Sequence, residues 1–330
     1  MSTPSSTSTS VSSKTEWSAT VDSKIIFGVV RDVLHRVEYV PLPNEIDEKL
    51  EAALLDTVSS WDLSDTSKKG LLRSMPVAVY MSSFSYAQDF NFERKLFVAA
   101  VTTCLVHIDD TSNQRFEACQ TFVPRFLARQ PQLDPVLERL ATLLPGFSEY
   151  YDPFPASAMS MAALEFVSAC CIENRVNEMT VSSSATHWPW DIRKMTGVAP
   201  LFSYVVFPRE NFPDVSAYVQ AIPDIERFVN LVNDVLSFYK EEVVHETGNY
   251  IRVDSRVRGV SPAQALVQCA EDTISAHDRA TQILSEAHTG AADLVAGWKA
   301  FVRGYIAFHF HSKRYLLAAF FDTGEDAQEQ

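Results

Sequence analysis

Between residues 223 and 243, the polar residues Asn233, Ser237 and Glu241 recur every fourth position. That spacing predicts a helix with all three on one face, one turn apart. Phe228, Leu231, Val232, Val235, Leu236 and Phe238 surround them, so the helix is expected to lie inside the molecule. Polar oxygens on a buried helix need partners. An amide, a hydroxyl and a carboxylate in a row suit a hard divalent cation, most naturally Mg²⁺. A buried cation site in turn points to a ligand that carries phosphate.

The rest of the chain reads as helical too. Glycine is scarce, and no train of short alternating segments bounded by turns signals strands. Apolar periodicity predicts helices near 46–57, 68–83, 91–109, 114–128, 134–143, 157–178, 190–205, 214–220, 223–243, 262–287 and 290–320. Segments 91–109, 161–172 and 299–320 are apolar on most faces, which places them in the middle of a bundle. Residues 178–190 read as a loop. Residues 245–260, charged and flanked by glycine, read as a loop beside the cation face, either an ordinary surface loop or a lid. The expectation is an all-α fold in one domain from 21 to 320. A Ser/Thr-rich tail at 1–20 is expected to be disordered, and 321–330 to be a polar acidic end.

The formal net charge of −14 excludes a basic surface for nucleic acid. It also means that metal ions and a few local cations must reverse the field wherever an anionic ligand binds. The five cysteines, Cys104, Cys119, Cys170, Cys171 and Cys269, have no ligand spacing. They read as buried thiols in a reducing compartment, and a cytoplasmic location is expected. No apolar run of membrane-span length is expected, and the N-terminus has no apolar core of a secretory signal.

A second acidic feature, Asp109-Asp110 with Asn113 beyond, closes the apolar segment 91–109. Two carboxylates at the negative end of a core helix are badly placed unless a cation is present; the alternative is an exposed turn. No Gly-x-Ser-x-Gly elbow, phosphate-binding glycine loop or His-Glu-x-x-His occurs, and His107 stands where a proton-initiated cyclase would carry the first Asp of Asp-x-Asp-Asp. His309 and His311, two apart on a helix, read as packing or surface residues.

Together the two acidic features resemble the metal-binding walls of class I terpenoid cyclases, whose motifs are D-D-x-x-D/E and N-D-x-x-S/T-x-x-x-E. The second is matched in full by Asn233 to Glu241. The first is matched as Asp109-Asp110, with Asn113 at the third acidic position. The Ser-Phe-Tyr-Lys-Glu ending of the second motif, and the segment from Gly304 to Tyr315, are similar to the fungal trichodiene synthase branch. The resemblance implies a helical bundle around a central apolar cavity. It implies metal binding by Asp109, Asn233, Ser237 and Glu241, with Asp110 and Asn113 as weaker candidates. It implies diphosphate binding by Arg193 in its Arg-x-Met-x-Gly setting, by Lys240, and by the pair Arg314-Tyr315. Lys240, seven residues from Asn233, also projects from nearly the same helix face. A cation beside metal ligands fits a site that holds metal ions and a multiply charged anion; the alternative is pairing with Glu241 or Glu242.

Deeper than the metals, Thr102, Leu105, Phe166 and Phe308 are candidates to line the cavity, with core packing as the alternative for each. Aromatic faces stabilise cations without offering a nucleophile. The resemblance thus implies a lyase of secondary metabolism: a sesquiterpene cyclase that uses three Mg²⁺ ions, acts on farnesyl diphosphate and forms a homodimer. The competing readings are a chain-lengthening prenyl diphosphate synthase, which would carry aspartates in its second motif, and an inactive helical scaffold. The product skeleton, and whether water or proton loss ends the reaction, are not encoded in any motif.

Overall fold

In the computed structural model, residues 20–86, 91–176 and 178–321 are described. The expected tails, 1–20 and 321–330, fall almost wholly outside them. Among the described residues every regular element is helical, as expected. The first half comprises α1 (Ser23–Arg36), α2 (Glu48–Ser60), α3 (Asp65–Ser85), α4 (Phe92–Thr111), α5 (Phe116–Leu127), α6 (Pro135–Leu143), α7 (Phe147–Tyr150) and α8 (Pro153–Val176). The second half comprises α9 (Trp188–Thr196), α10 (Ala199–Val205), α11 (Ile222–Val243), α12 (Tyr250–Arg258), α13 (Pro262–Ser285), α14 (Ala291–His311) and α15 (Ala318–Phe321).

Local chemistry sets the starts of these helices. Asp22, Asp47, Ser64, Asn91, Asp134, Asn249 and Ser261 each cap a helix by accepting a backbone N–H of its first turn. Ser261 and Gln264 complete a reciprocal capping box on α13.

The interior follows the apolar periodicity. In α4 every residue from Val98 to Leu105 is buried, which puts that helix at the centre. α11 is buried from Phe228 to Val232, and α14 from Gly304 to His309. α13 backs α11, and α3 packs on both α4 and α14. The α3–α14 contact depends on a glycine: a Cβ at Gly304 would overlap the Phe84 carbonyl oxygen. α8 is long and apolar enough to cross a membrane by length and composition, contrary to expectation. It packs on α5, α9 and α10, and over half of its most apolar window is buried, which suits a core helix.

Four expectations are corrected. α1 was not expected; it is anchored where Val21 N donates to Glu242 Oε2 at 2.8 Å. The helix expected over 190–205 breaks at Gly197-Val198, where Val198 adopts φ 49°, a left-handed conformation that a β-branched residue seldom accepts. Segment 214–220 forms two 3₁₀ turns, not an α-helix. Segment 245–260 is not wholly irregular, because α12 occupies its second half. Its cap at Asn249 and the left-handed Gly259 (φ 70°) bound it. The guanidinium of Arg252 fixes it to α11 through Glu242, with contacts of 2.6, 2.7 and 2.9 Å. All five cysteines are free and buried, as expected.

Candidate active site

The ends of α4, α8, α9, α11 and α14 converge on one cavity of about 520 Å³. Asp109 and Asp110 stand on the last turn of α4 at its mouth. Asn233, Ser237 and Glu241 line it from α11, one turn apart. Arg193 enters from α9, Lys240 from α11, and Arg314 and Tyr315 from the 3₁₀ turn that follows α14. Thr102, Leu105, Phe166 and Phe308 line it as well. Among the expected site residues, Asn113 alone is outside the lining. α4 gives way at Ser112 to a tighter 3₁₀ turn, which carries Asn113 off the face of Asp109 and leaves it exposed.

Neighbouring residues tie the two walls together. Arg314 Nη2 donates to Asp110 Oδ1 at 2.9 Å and to Asp109 Oδ2 at 3.5 Å. The hydroxyl of Tyr315, next in the chain, lies 3.5 Å from Asn233 Nδ2 on the opposite wall. Within the ladder, Ser237 Oγ donates to Glu241 Oε1 at 2.6 Å. Lys240 Nζ lies 3.4 Å from Glu246. Arg193 Nε donates to both oxygens of Asp234, at 2.7 and 2.9 Å, and its Nη2 donates to Asn233 Oδ1 at 3.1 Å. Asp234 therefore faces a guanidinium and not the polar ladder.

The electrostatics of the carboxylates favour a cation. Asp109 and Glu173 are solvent-exposed, but the surface they expose lines an open cleft between helices. Burial raises the Asp109 carboxyl above its ordinary range; Arg314 opposes the shift and Asp110 adds to it. Burial and the charge of Asp109 push Glu173 up to about 7. Burial and the charge of Glu246 push Glu241 up to about 8. Carboxylates that resist ionisation in one pocket are an incomplete set, and a divalent cation supplies the missing charge. The oxygens of Asp109 and Glu173 and the sulfur of Cys170 all lie within 4.8 Å of one another. Burial raises the Cys170 thiol far above its ordinary value, so the two carboxylates are the hard donors there. The donor set on both walls fits Mg²⁺.

Sequence reasoning missed Glu173, although it ends an apolar stretch on α8 much as Asp109 does on α4. It also read His309 as a packing or surface residue. That ring is fully buried. Its Nε2 lies 2.9 Å from Asn233 Nδ2 and its Nδ1 2.7 Å from Tyr305 O, and burial lowers its pKa to about 4, so it is neutral. Deeper in the cavity, Thr102 Oγ1 and both polar atoms of the Asn230 side chain are buried without hydrogen-bond partners.

Comparison with known proteins gives a consistent result. The family model described as Trichodiene synthase (TRI5) matches residues 61–330. Terpene synthase BipA of Cochliobolus sativus is 33% identical over 74% of this chain and 76% of its own length. Monoterpene synthase 25 of Postia placenta is 32% identical over 88% and 85%, and alpha-cuprenene synthase COP6 of Coprinopsis cinerea 30% over 90% of each. Among solved structures, linalool/nerolidol synthase from Streptomyces clavuligerus superposes with a TM-score of 0.61 at 12% identity, covering 82% of this chain and 99% of that one. Hedycaryol synthase gives 0.60 at 16%, covering 83% and 98%. At such identities the two structures speak to the fold alone.

Proposed function

Because the chain belongs to the trichodiene synthase family, we propose that it is a Mg²⁺-dependent sesquiterpene cyclase that ionises farnesyl diphosphate. The observation that carries this reading is the joint lining of one cavity by Asp109 and by the ladder Asn233, Ser237 and Glu241, with Arg314 and Tyr315 between them.

The polar mouth and the largely apolar wall beyond it support an orientation for the substrate. The diphosphate takes the mouth, and the prenyl chain folds against Leu105, Phe166 and Phe308. Asp109 and Glu173 on one side, and Asn233, Ser237 and Glu241 on the other, would hold three Mg²⁺ ions. When bound, the ions neutralise the charge that develops on the departing diphosphate.

Each cation of the clamp already holds a carboxylate: Arg193 holds Asp234, Lys240 holds Glu246, and Arg314 holds Asp109 and Asp110. Ligand binding exchanges these partners. With ligand bound, Asp109 would be released from Arg314 to serve the cation site, and Arg314 and Lys240 would be free to pair with phosphate oxygens. Arg193 keeps its two-oxygen contact with Asp234 through Nε, and its Nη2, which donates to Asn230 O and Asn233 Oδ1, is the nitrogen nearest the ladder. The aromatic faces of Phe166 and Phe308 offer no nucleophile, so the carbocation is shaped and not trapped.

Incubation with farnesyl diphosphate and with geranyl diphosphate, with and without Mg²⁺, followed by diphosphate assay and gas chromatography, tests the proposal. Metal-dependent release with a cyclic C15 product is expected. No release at micromolar enzyme would sink the reading, and release from geranyl diphosphate alone would change the substrate.

A further inference from the structure

We propose that His309 is a positioning residue: it holds the Asn233 carboxamide in the one orientation that presents its oxygen to the cation site. The inference rests on the cation-site reading given above and adds a residue that no metal or phosphate touches.

His309 Nδ1 lies 2.7 Å from the carbonyl oxygen of Tyr305, one turn earlier on α14. A carbonyl only accepts, so Nδ1 carries the hydrogen. Because Arg193 Nη2 can only donate, the end of the Asn233 amide facing it is the oxygen, which leaves the NH₂ facing Nε2 and makes Nε2 the acceptor. Asn233 Nδ2, at 2.9 Å, must then donate to Nε2. The hydroxyl of Tyr315 lies 3.5 Å from the same nitrogen and can take its second hydrogen. Both hydrogens of the amide are thereby engaged on the α14 side. Oδ1 is turned the other way, where Arg193 Nη2 donates to it at 3.1 Å. A flipped amide would set its oxygen against the Nε2 lone pair and its NH₂ against a guanidinium N–H, losing both bonds.

The imidazole is itself wedged. Ring centroids of Tyr315, Tyr305 and Phe308 lie 4.3, 4.7 and 4.8 Å from it. Such fixation matters most for this member of the ladder. The two ends of a carboxamide have nearly the same shape, so packing cannot choose between them. One end ligates a cation and the other repels it. Ser237 and Glu241 have no such wrong end.

The test compares His309→Phe, which fills the space without an acceptor, with His309→Gln, whose side-chain oxygen can accept near the Nε2 position. Binding of inorganic diphosphate is followed by thermal shift as Mg²⁺ is titrated, with no turnover involved. His309→Phe is expected to raise the Mg²⁺ concentration for half-maximal protection by about tenfold or more, the usual effect of losing an outer-shell partner. His309→Gln is expected to recover most of that loss. In the metal-free parent, ¹⁵N-histidine spectra are expected to report the Nδ1–H tautomer. An Nε2–H tautomer, or a folded His309→Phe variant that titrates like the parent, overturns the proposal. Should His309→Phe fail to fold, His309→Gln and the tautomer decide it: a strong Mg²⁺ defect in a folded His309→Gln counts against it. A parent that shows no Mg²⁺-dependent protection overturns the cation-site reading itself and this inference with it, a failure distinct from the others.

Discussion

Arg314 reaches from the turn after α14 to Asp110 at the end of α4, Nη2 to Oδ1 at 2.9 Å, forming an ion pair at the cavity mouth. Segments about two hundred residues apart in the chain thus meet at the cavity mouth. In the proposed function the same guanidinium serves the diphosphate, so this pair would have to open on binding.

Arg314→Lys keeps the charge but removes the planar fork that two oxygens can share. The KM for farnesyl diphosphate is expected to rise about tenfold, with circular dichroism unchanged, in steady-state diphosphate release. A KM equal to the parent's would place Arg314 outside the clamp.

Glu241→Gln and Asn233→Ala each remove one rung of the α11 ladder. Turnover is expected to fall by about a hundredfold or more, the scale seen when a group that stabilises developing charge is deleted. Near-normal turnover in both variants would take the ladder out of the metal site.

Glu173→Gln tests the donor that sequence patterns did not reveal. With Asp109 left alone on the first wall, the Mg²⁺ concentration for half-maximal activity is expected to rise about tenfold or more. The parent's Mg²⁺ dependence in this variant would make Glu173 a bystander.

Glu173 and Glu241 also set a pH dependence. In the native state burial and neighbouring charge lift them to about 7 and about 8, against an ordinary value of 4.5. Between those limits the folded protein binds more protons than the unfolded chain, so stability falls as pH rises through the window. In chelator, the melting temperature is expected to decline from about pH 5 to about pH 8, and Mg²⁺ with inorganic diphosphate to reverse the decline, since metal binding expels those protons. Glu241→Gln should flatten the upper part of the curve. A melting temperature insensitive to pH in chelator would contradict the electrostatic account.

Gly304→Ala probes the fold apart from the chemistry. The new methyl group would collide with the backbone of Phe84, which cannot swing aside as a side chain can. A loss of about 2 kcal/mol in denaturant unfolding is expected, the scale of overpacking in a tight core. An unchanged midpoint would mean that α3 and α14 part more easily than their packing implies.

Sequence and structure agree most closely where the signal is local. The rungs at Asn233, Ser237 and Glu241 are visible because a helix of known pitch lines up every fourth residue, and α11 spans Ile222–Val243 almost as its periodicity predicts. α12 escaped notice because its residues are strongly polar. Its caps, Asn249 and Gly259, bound it, while it buries Ile251, Val253 and Val257 against remote helices α9 and α13 and is tied to α11 by the Arg252–Glu242 pair. The break at Gly197-Val198 was hidden for a related reason. A Cβ at Gly197 would overlap Asn230 Oδ1 from α11, a close approach that periodicity within 190–205 cannot register.

The chain by itself determined its helical class, the buried position of α4, α11 and α14, and the polar rungs of α11, because helix pitch and apolar burial act over a few neighbouring residues. Tertiary structure alone decided that Glu173 joins Asp109, that Asn113 turns away, and that His309 meets Asn233. These depend on how separate helices are rotated about their axes and brought together in space, and side-chain packing across the whole bundle sets that rotation.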